Sequence, residues 1–149
     1  MPLNVCVYAS ASSRTSERFM QEGRRLGRLI AERGHTLING GGKIGGMGAL
    51  NDGCHAAGGR VVCVIHEMFV VDGVEFSEAD EMVVAGGDDL GERKRLLAER
   101  CDAIVVMPGD VRCGYQTCFV YHGTRRGAAA GATWIIRGRV AAAPRAPRG

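Results

Sequence analysis

An α/β fold with a doubly wound parallel sheet is predicted by three features of the sequence. Several strand-length runs are apolar throughout, amphipathic stretches separate them, and a dense glycine cluster sits at a strand-to-helix junction. Strands covered on both faces lose the in-out alternation of a half-exposed strand, and VCVYA (5–9), RVVCVI (60–65) and DAIVVM (102–107) have lost it. At 149 residues the chain is the length of one domain and can bury a sizeable core.

The elements follow in order. The strand at 5–9 runs into a serine-rich turn over 10–16, which suits the start of a helix. Phe19, Met20, Leu26, Leu29 and Ile30 then recur at helical spacing over 17–33, and Gly34 ends the pattern. A second strand at 35–39 leads into GGGKIGGMGAL, followed by a helix over 47–57 that stops at Gly58 and Gly59. Strands at 60–65 and 81–85 are joined by a charged, glycine-containing loop. Asp88 opens a helix over 88–100, with Leu90, Arg93, Leu96 and Leu97 on one side. The strand at 102–107 ends at Pro108 and Gly109. Beyond it, 115–122 reads as strand or helix and 133–136 as a last strand. The domain is expected to span 1–137, with an atypical C-terminal part and a disordered Ala/Pro/Arg tail at 138–149.

Composition narrows the function classes. The apolar fraction is 46%, no run of 18 uncharged apolar residues occurs, and no basic flank precedes the first strand, so a cytoplasmic protein without a membrane partner is expected. Of the six cysteines only Cys113 and Cys118 are close, at a spacing that fits no usual zinc pattern. The expectation is buried reduced thiols and no metal. All 16 acidic residues lie at or before Asp110, against 12 Lys and Arg there, while 111–149 carry seven Arg and no acid. A basic stretch of this kind can serve nucleic acid, but it lacks lysine and has little aromatic interleaving, so nucleic-acid binding is not expected.

Gly40, Gly41, Gly42, Gly45, Gly46, Met47 and Gly48 form the strand-to-helix junction, where backbone must turn sharply and a ligand can approach closely. Helix N-terminal N–H groups and the helix dipole favour an anion there, usually phosphate. The same glycines could instead serve only close packing. Gly40, Gly42 and Gly45 also satisfy G-x-G-x-x-G, with Glu67 about 20 residues further on, so a dinucleotide site is a rival; against it, the fingerprint normally follows the first strand and here follows the second. No Gly-Lys-Ser/Thr follows, which excludes a Walker loop.

VCVYASASS, LGRLIAERGHTLINGGGKIGGMGAL, VIHE and ERKRLLAERCDAIVVMPG resemble, in order, the LOG-like family, often labelled lysine decarboxylase-like. That resemblance implies a Rossmann-like fold, a homodimer, no cofactor, and hydrolysis of the N-glycosidic bond of an AMP-like purine or cytokinin nucleoside 5′-monophosphate. It places Arg93 among the catalytic residues and Lys94, Glu67, the glycine loop, Pro108 and Gly109 at the substrate. Cleaving such a bond develops oxocarbenium character on the ribose, so a carboxylate can stabilise it or activate water while a guanidinium grips phosphate or orients the acid. Decarboxylase chemistry finds no support, since Lys43 and Lys94 are the only lysines and neither has an identifiable pyridinium partner for a pyridoxal Schiff base.

The chain departs from the family at Ser10, usually Gly, at His66, usually Pro, and after Pro108-Gly109. There the family continues P-G-G-x-G-T-x-x-E, and this chain has Asp110, Arg112, Cys113 and Gln116 at the places of Gly, Gly, Thr and the catalytic Glu. A neutral amide cannot act as a carboxylate base, so a nucleotide-binding module impaired in catalysis is the alternative. Motif and composition change together near residue 109, as a change of reading frame would produce; translating the coding DNA in the other two frames is expected to recover G-x-G-T-x-x-E, and its absence from both would refute the frame change.

Overall fold

Five strands run parallel: β1 (Asn4–Tyr8), β2 (Thr36–Asn39), β3 (Arg60–His66), β4 (Glu81–Ala85) and β5 (Ala103–Val106). The computed structural model describes residues 1–70, 73–88 and 90–107, with the backbone of 125–129 and 132–136. Two further strands, β6 (Arg125–Ala129) and β7 (Ala132–Ile136), extend the sheet antiparallel beyond β5, giving the order β4-β3-β2-β1-β5-β7-β6. The chain walks outward from β1 to β4 and then crosses back to β5 on the other side of β1, so the winding reverses between β1 and β5.

Alternate residues of β1 show the two covered faces. Val5, Val7 and Ala9 pack with Ile30, Leu50 and Cys54 of helices α1 (Glu17–Glu32) and α2 (Gly45–Ala56). Cys6 and Tyr8 pack with Leu97 and Cys101, at and just beyond helix α4 (Gly91–Arg100), on the opposite face. The expected doubly wound α/β sheet, Rossmann-like, is therefore observed. Helices α1 and α2 touch backbone to backbone. A Cβ on Gly27 would collide with the Leu50 carbonyl and lie 2.9 Å from the Cys54 nitrogen, and one on Gly53 would lie 2.8 Å from the Arg24 carbonyl carbon. Gly34, at φ 71°, ends α1 in the left-handed conformation that glycine adopts most cheaply, its N–H bonding the Ala31 carbonyl.

Two features differ from the sequence reading in ways the hydrogen bonds explain. A short helix, α3 (Glu67–Val70), opens where a loop was expected, beginning as the Met68 N–H donates to His66 Nδ1 at 3.2 Å. Helix α4 starts at Gly91 rather than residue 88, because His66 Nε2 holds the Gly87 carbonyl at 3.0 Å and Gly87 itself has φ 105°, which keeps that stretch out of a helix. The strand expected at 133–136 is present as part of β7, and it covers the edge of β5. The expected element at 115–122 and the disordered tail at 138–149 lie outside the described residues. No helix among the described residues is long and apolar enough to cross a membrane.

Candidate functional site

In a doubly wound sheet, ligands bind outside the carboxyl ends of the strands where the winding reverses. Here that place lies beyond the ends of β1 and β5, beside Ala9 and Ser10, with the glycine run next to it after β2.

The front of the glycine run is bonded within the protein at three consecutive peptide units. The Gly40 carbonyl accepts from Arg93 Nη2 at 2.9 Å, and the Gly41 N–H donates to Asn39 Oδ1 at 2.8 Å. The Gly41 carbonyl accepts the Phe76 N–H at 2.7 Å, and the Gly42 N–H meets Met47 Sδ at 3.0 Å. Finally, Asn51 Nδ2 donates to the Gly42 carbonyl at 3.1 Å, and the Lys43 N–H donates to the Val74 carbonyl at 3.0 Å. A buried bond from Asn39 Nδ2 to Asn51 Oδ1 joins the two asparagines, both fully buried. These N–H groups are already committed, so Gly41, Gly42 and Lys43 shape the loop rather than offering donors to a phosphate.

The start of α2 is different. Its N-cap is Ile44, whose side chain has nothing to cap with. The Met47 N–H goes to the Ser10 carbonyl at 2.9 Å and the Gly48 N–H to the Ile44 carbonyl at 3.1 Å, whereas no bond is formed by the Gly45 and Gly46 N–H groups among the described residues. Orphan donors at a helix start, with the dipole behind them, are an anion site in waiting. Gly45 is required by more than its φ of 67°, since a Cβ there would lie 2.7 Å from the Ser10 and Ser12 carbonyl oxygens. The first turn of α2 is thereby pressed against the loop that leaves β1.

Arg93 is buried, at 8% exposure. Nε donates to the Val64 carbonyl at 2.9 Å while Nη2 holds Gly40, and the guanidinium lies 5.8 Å from the centre of the Phe69 ring. Burial lowers its pKa, yet arginine stays charged at neutral pH. Lys94, the next residue on α4, is half-buried. Glu67 is exposed at the start of α3, its Oε2 3.7 Å from where a Cβ on Gly86 would sit, across the ends of β3 and β4. Arg93 is thus bonded to Gly40 and Met47 to Gly42, Glu67 is placed against Gly86, and Pro108 and Gly109 lie outside the described residues.

The sequence reading passed over Asn39, Asn51 and Glu75. Asn51 left a signal: it stands with Met47, Leu50 and Cys54 on the buried stripe of α2, where an amide has to find partners. The four described cysteines form no disulfide and are buried, as expected. Burial pushes the Cys63 thiol up to about 12 and the Cys54 thiol up to about 11, so neither supplies a thiolate at neutral pH. A groove lined by Arg25, Arg28, Leu29, Gly53 and Ala57 lies on the exposed side of α1 and α2, away from the strand ends.

The SLOG cluster4 family model matches residues 2–122. The chain belongs to the SLOG cluster4 family. The match runs past Gly109 into the stretch where the catalytic motif of the LOG-like pattern is altered. Among curated relatives of this SLOG cluster4 chain, cytokinin riboside 5′-monophosphate phosphoribohydrolase of Mycobacterium tuberculosis is 39% identical over 107 residues, 72% of this chain and 56% of that protein. Cytokinin riboside 5′-monophosphate phosphoribohydrolase LOG of Oryza sativa subsp. japonica is 31% identical over 113 residues, 76% of this chain and 44% of that protein. The chain spans about half the length of these relatives. Among solved structures, the molybdenum cofactor binding protein of Rippkaea orientalis superposes with a TM-score of 0.69 at 17% identity, covering 80% of this chain and 71% of that one. The molybdenum cofactor carrier protein of Chlamydomonas reinhardtii gives 0.65 at 21%, covering 80% and 71%. At these identities the likeness is one of fold.

Proposed function

We propose that this chain binds a purine nucleoside 5′-monophosphate of the AMP or cytokinin type at the strand ends, and that it serves a phosphoribohydrolase reaction in which water cleaves the N-glycosidic bond to give the free base and ribose 5-phosphate. The observation that carries the reading is the uncapped start of α2, where the Gly45 and Gly46 N–H groups, beside the winding reversal, find no partner among the described residues. The names of the curated relatives, matched over about three quarters of this chain, supply the nucleotide class.

In this reading the phosphate lies at Gly45 and Gly46, and Arg93 acts on the site through Gly40 instead of gripping the substrate. Glu67 faces the sugar or base, with Lys94, Met47, Gly48, Pro108 and Gly109 completing the walls. A homodimer packed through helices flanking the sheet and a cytoplasmic location belong to the same proposal. One observation favours a second reading, binding without cleavage: Gln116 stands where the resemblance calls for the catalytic carboxylate. Titration of the chain with AMP, together with an assay for adenine release, separates the two. Binding with release supports the hydrolase, binding without release supports the module, and no binding overturns both.

A further inference from the structure

The segment from Gly73 to Phe76 lies against the glycine run as a one-residue antiparallel bridge, with Gly42 opposite Glu75. The flanking bonds, Phe76 N–H to the Gly41 carbonyl and Lys43 N–H to the Val74 carbonyl, make it the non-hydrogen-bonded kind of pair. In such a pair the two α-carbons are close, about 4.5 Å apart, and both side chains rise on the same face. For Gly42 that face is known: a Cβ there would point at Met47 Sδ, 3.1 Å away, and at the Ala11 Cβ, 3.5 Å away. Glu75 therefore rises over a residue without a side chain, toward the first turn of α2 and the loop leaving β1. The Glu75 side chain is half-buried, but Oε2 is closed off from solvent and has no hydrogen-bond partner among the described residues. A carboxylate oxygen left that way is costly unless something else supplies the donor.

We infer that Glu75 is a specificity residue of the nucleotide site, accepting hydrogen bonds from the ribose hydroxyls of the ligand. The inference rests on the nucleotide reading above. Hydroxyls suit this position and phosphate does not: a carboxylate repels an anion, and the N–H donors left unbonded among the described residues are at Gly45 and Gly46. Phosphate at the helix start and diol at Glu75 would orient the nucleotide between two fixed points, one donating and one accepting. A site that hydrogen-bonds a substrate hydroxyl discriminates against the analogue lacking it, because its own acceptor is then left unpaired.

The test compares AMP with 2′-deoxy-AMP on the full chain and on Glu75→Gln and Glu75→Ala variants, by calorimetric titration, with thermal melts alongside. The wild type is expected to prefer AMP by about tenfold or more, the magnitude of one charge-assisted hydrogen bond. Both variants should weaken AMP binding by a similar factor, weaken 2′-deoxy-AMP less because one of its hydroxyl contacts is already gone, and melt no lower than the wild type, since each removes a charged acceptor that has no donor among the described residues. Variants that keep the wild-type preference, or that lose both nucleotides equally, would overturn the role of Glu75 while the nucleotide reading stands. A wild type that binds neither nucleotide overturns the nucleotide reading and the inference with it.

Discussion

Replacing Arg93 with alanine is expected to destabilise the protein by about 3 kcal/mol and to weaken AMP binding by tenfold or more. The guanidinium supplies the donors for two buried carbonyls, Val64 on β3 and Gly40 at the head of the glycine run. Truncation strips both at once, and hydrogen bonds from a charged donor are the stronger kind. In thermal melts that loss corresponds to a midpoint lowered by roughly 10 °C for a domain of this size. Lysine should rescue only in part, since a single ammonium does not reproduce the planar fork. Gly40→Ala should behave like Arg93→Ala, because its Cβ would lie 3.0 Å from Arg93 Cζ and displace the same group. An arginine whose job was to hold the substrate would give another pattern: wild-type melting with affinity lost.

The second large effect falls far from the strand ends. Gly27→Ala is expected to cost about 3 kcal/mol, because the added carbon meets the backbone of Leu50 and Cys54 on α2. Backbone cannot swing aside as a flexible side chain can, so the two helices must separate. The first turn of α2 carries Gly45 and Gly46, and a shift of that helix would carry the proposed anion donors with it. Urea denaturation should give a lower midpoint for Gly27→Ala with an unchanged slope; an unchanged midpoint would mean that α1 and α2 tolerate the separation.

Much of the fold was legible because period and punctuation agreed. The β4 boundaries matched at both ends, and the strands around it were recognised by unbroken apolar runs such as Val61 to Ile65, which are buried on both faces. Two errors came from one residue. His66 reads as the end of a strand, yet its ring accepts the Met68 N–H and fastens the Gly87 carbonyl, which starts α3 and delays α4. A contact 21 residues away along the chain leaves no local periodicity to read.

The site was legible in outline only. The glycines marked the right junction, but the division of labour within them depends on partners scattered over the sequence. Asn39, Met47, Asn51, Val74, Phe76 and Arg93 take up the three peptide units between Gly40 and Lys43, which leaves the Gly45 and Gly46 N–H groups without a partner among the described residues. Glu75 looked like one more charge in a loop. Only its register against Gly42 gives it a role.

The most direct measurement is a backbone amide titration of isotopically labelled full-length chain with AMP. The amides of Gly45 and Gly46 are expected to shift most, while those of Gly41, Gly42 and Lys43, already bonded within the protein, move little. Largest shifts at Gly41 to Lys43, or along the groove between α1 and α2, or no shift anywhere, would contradict the account.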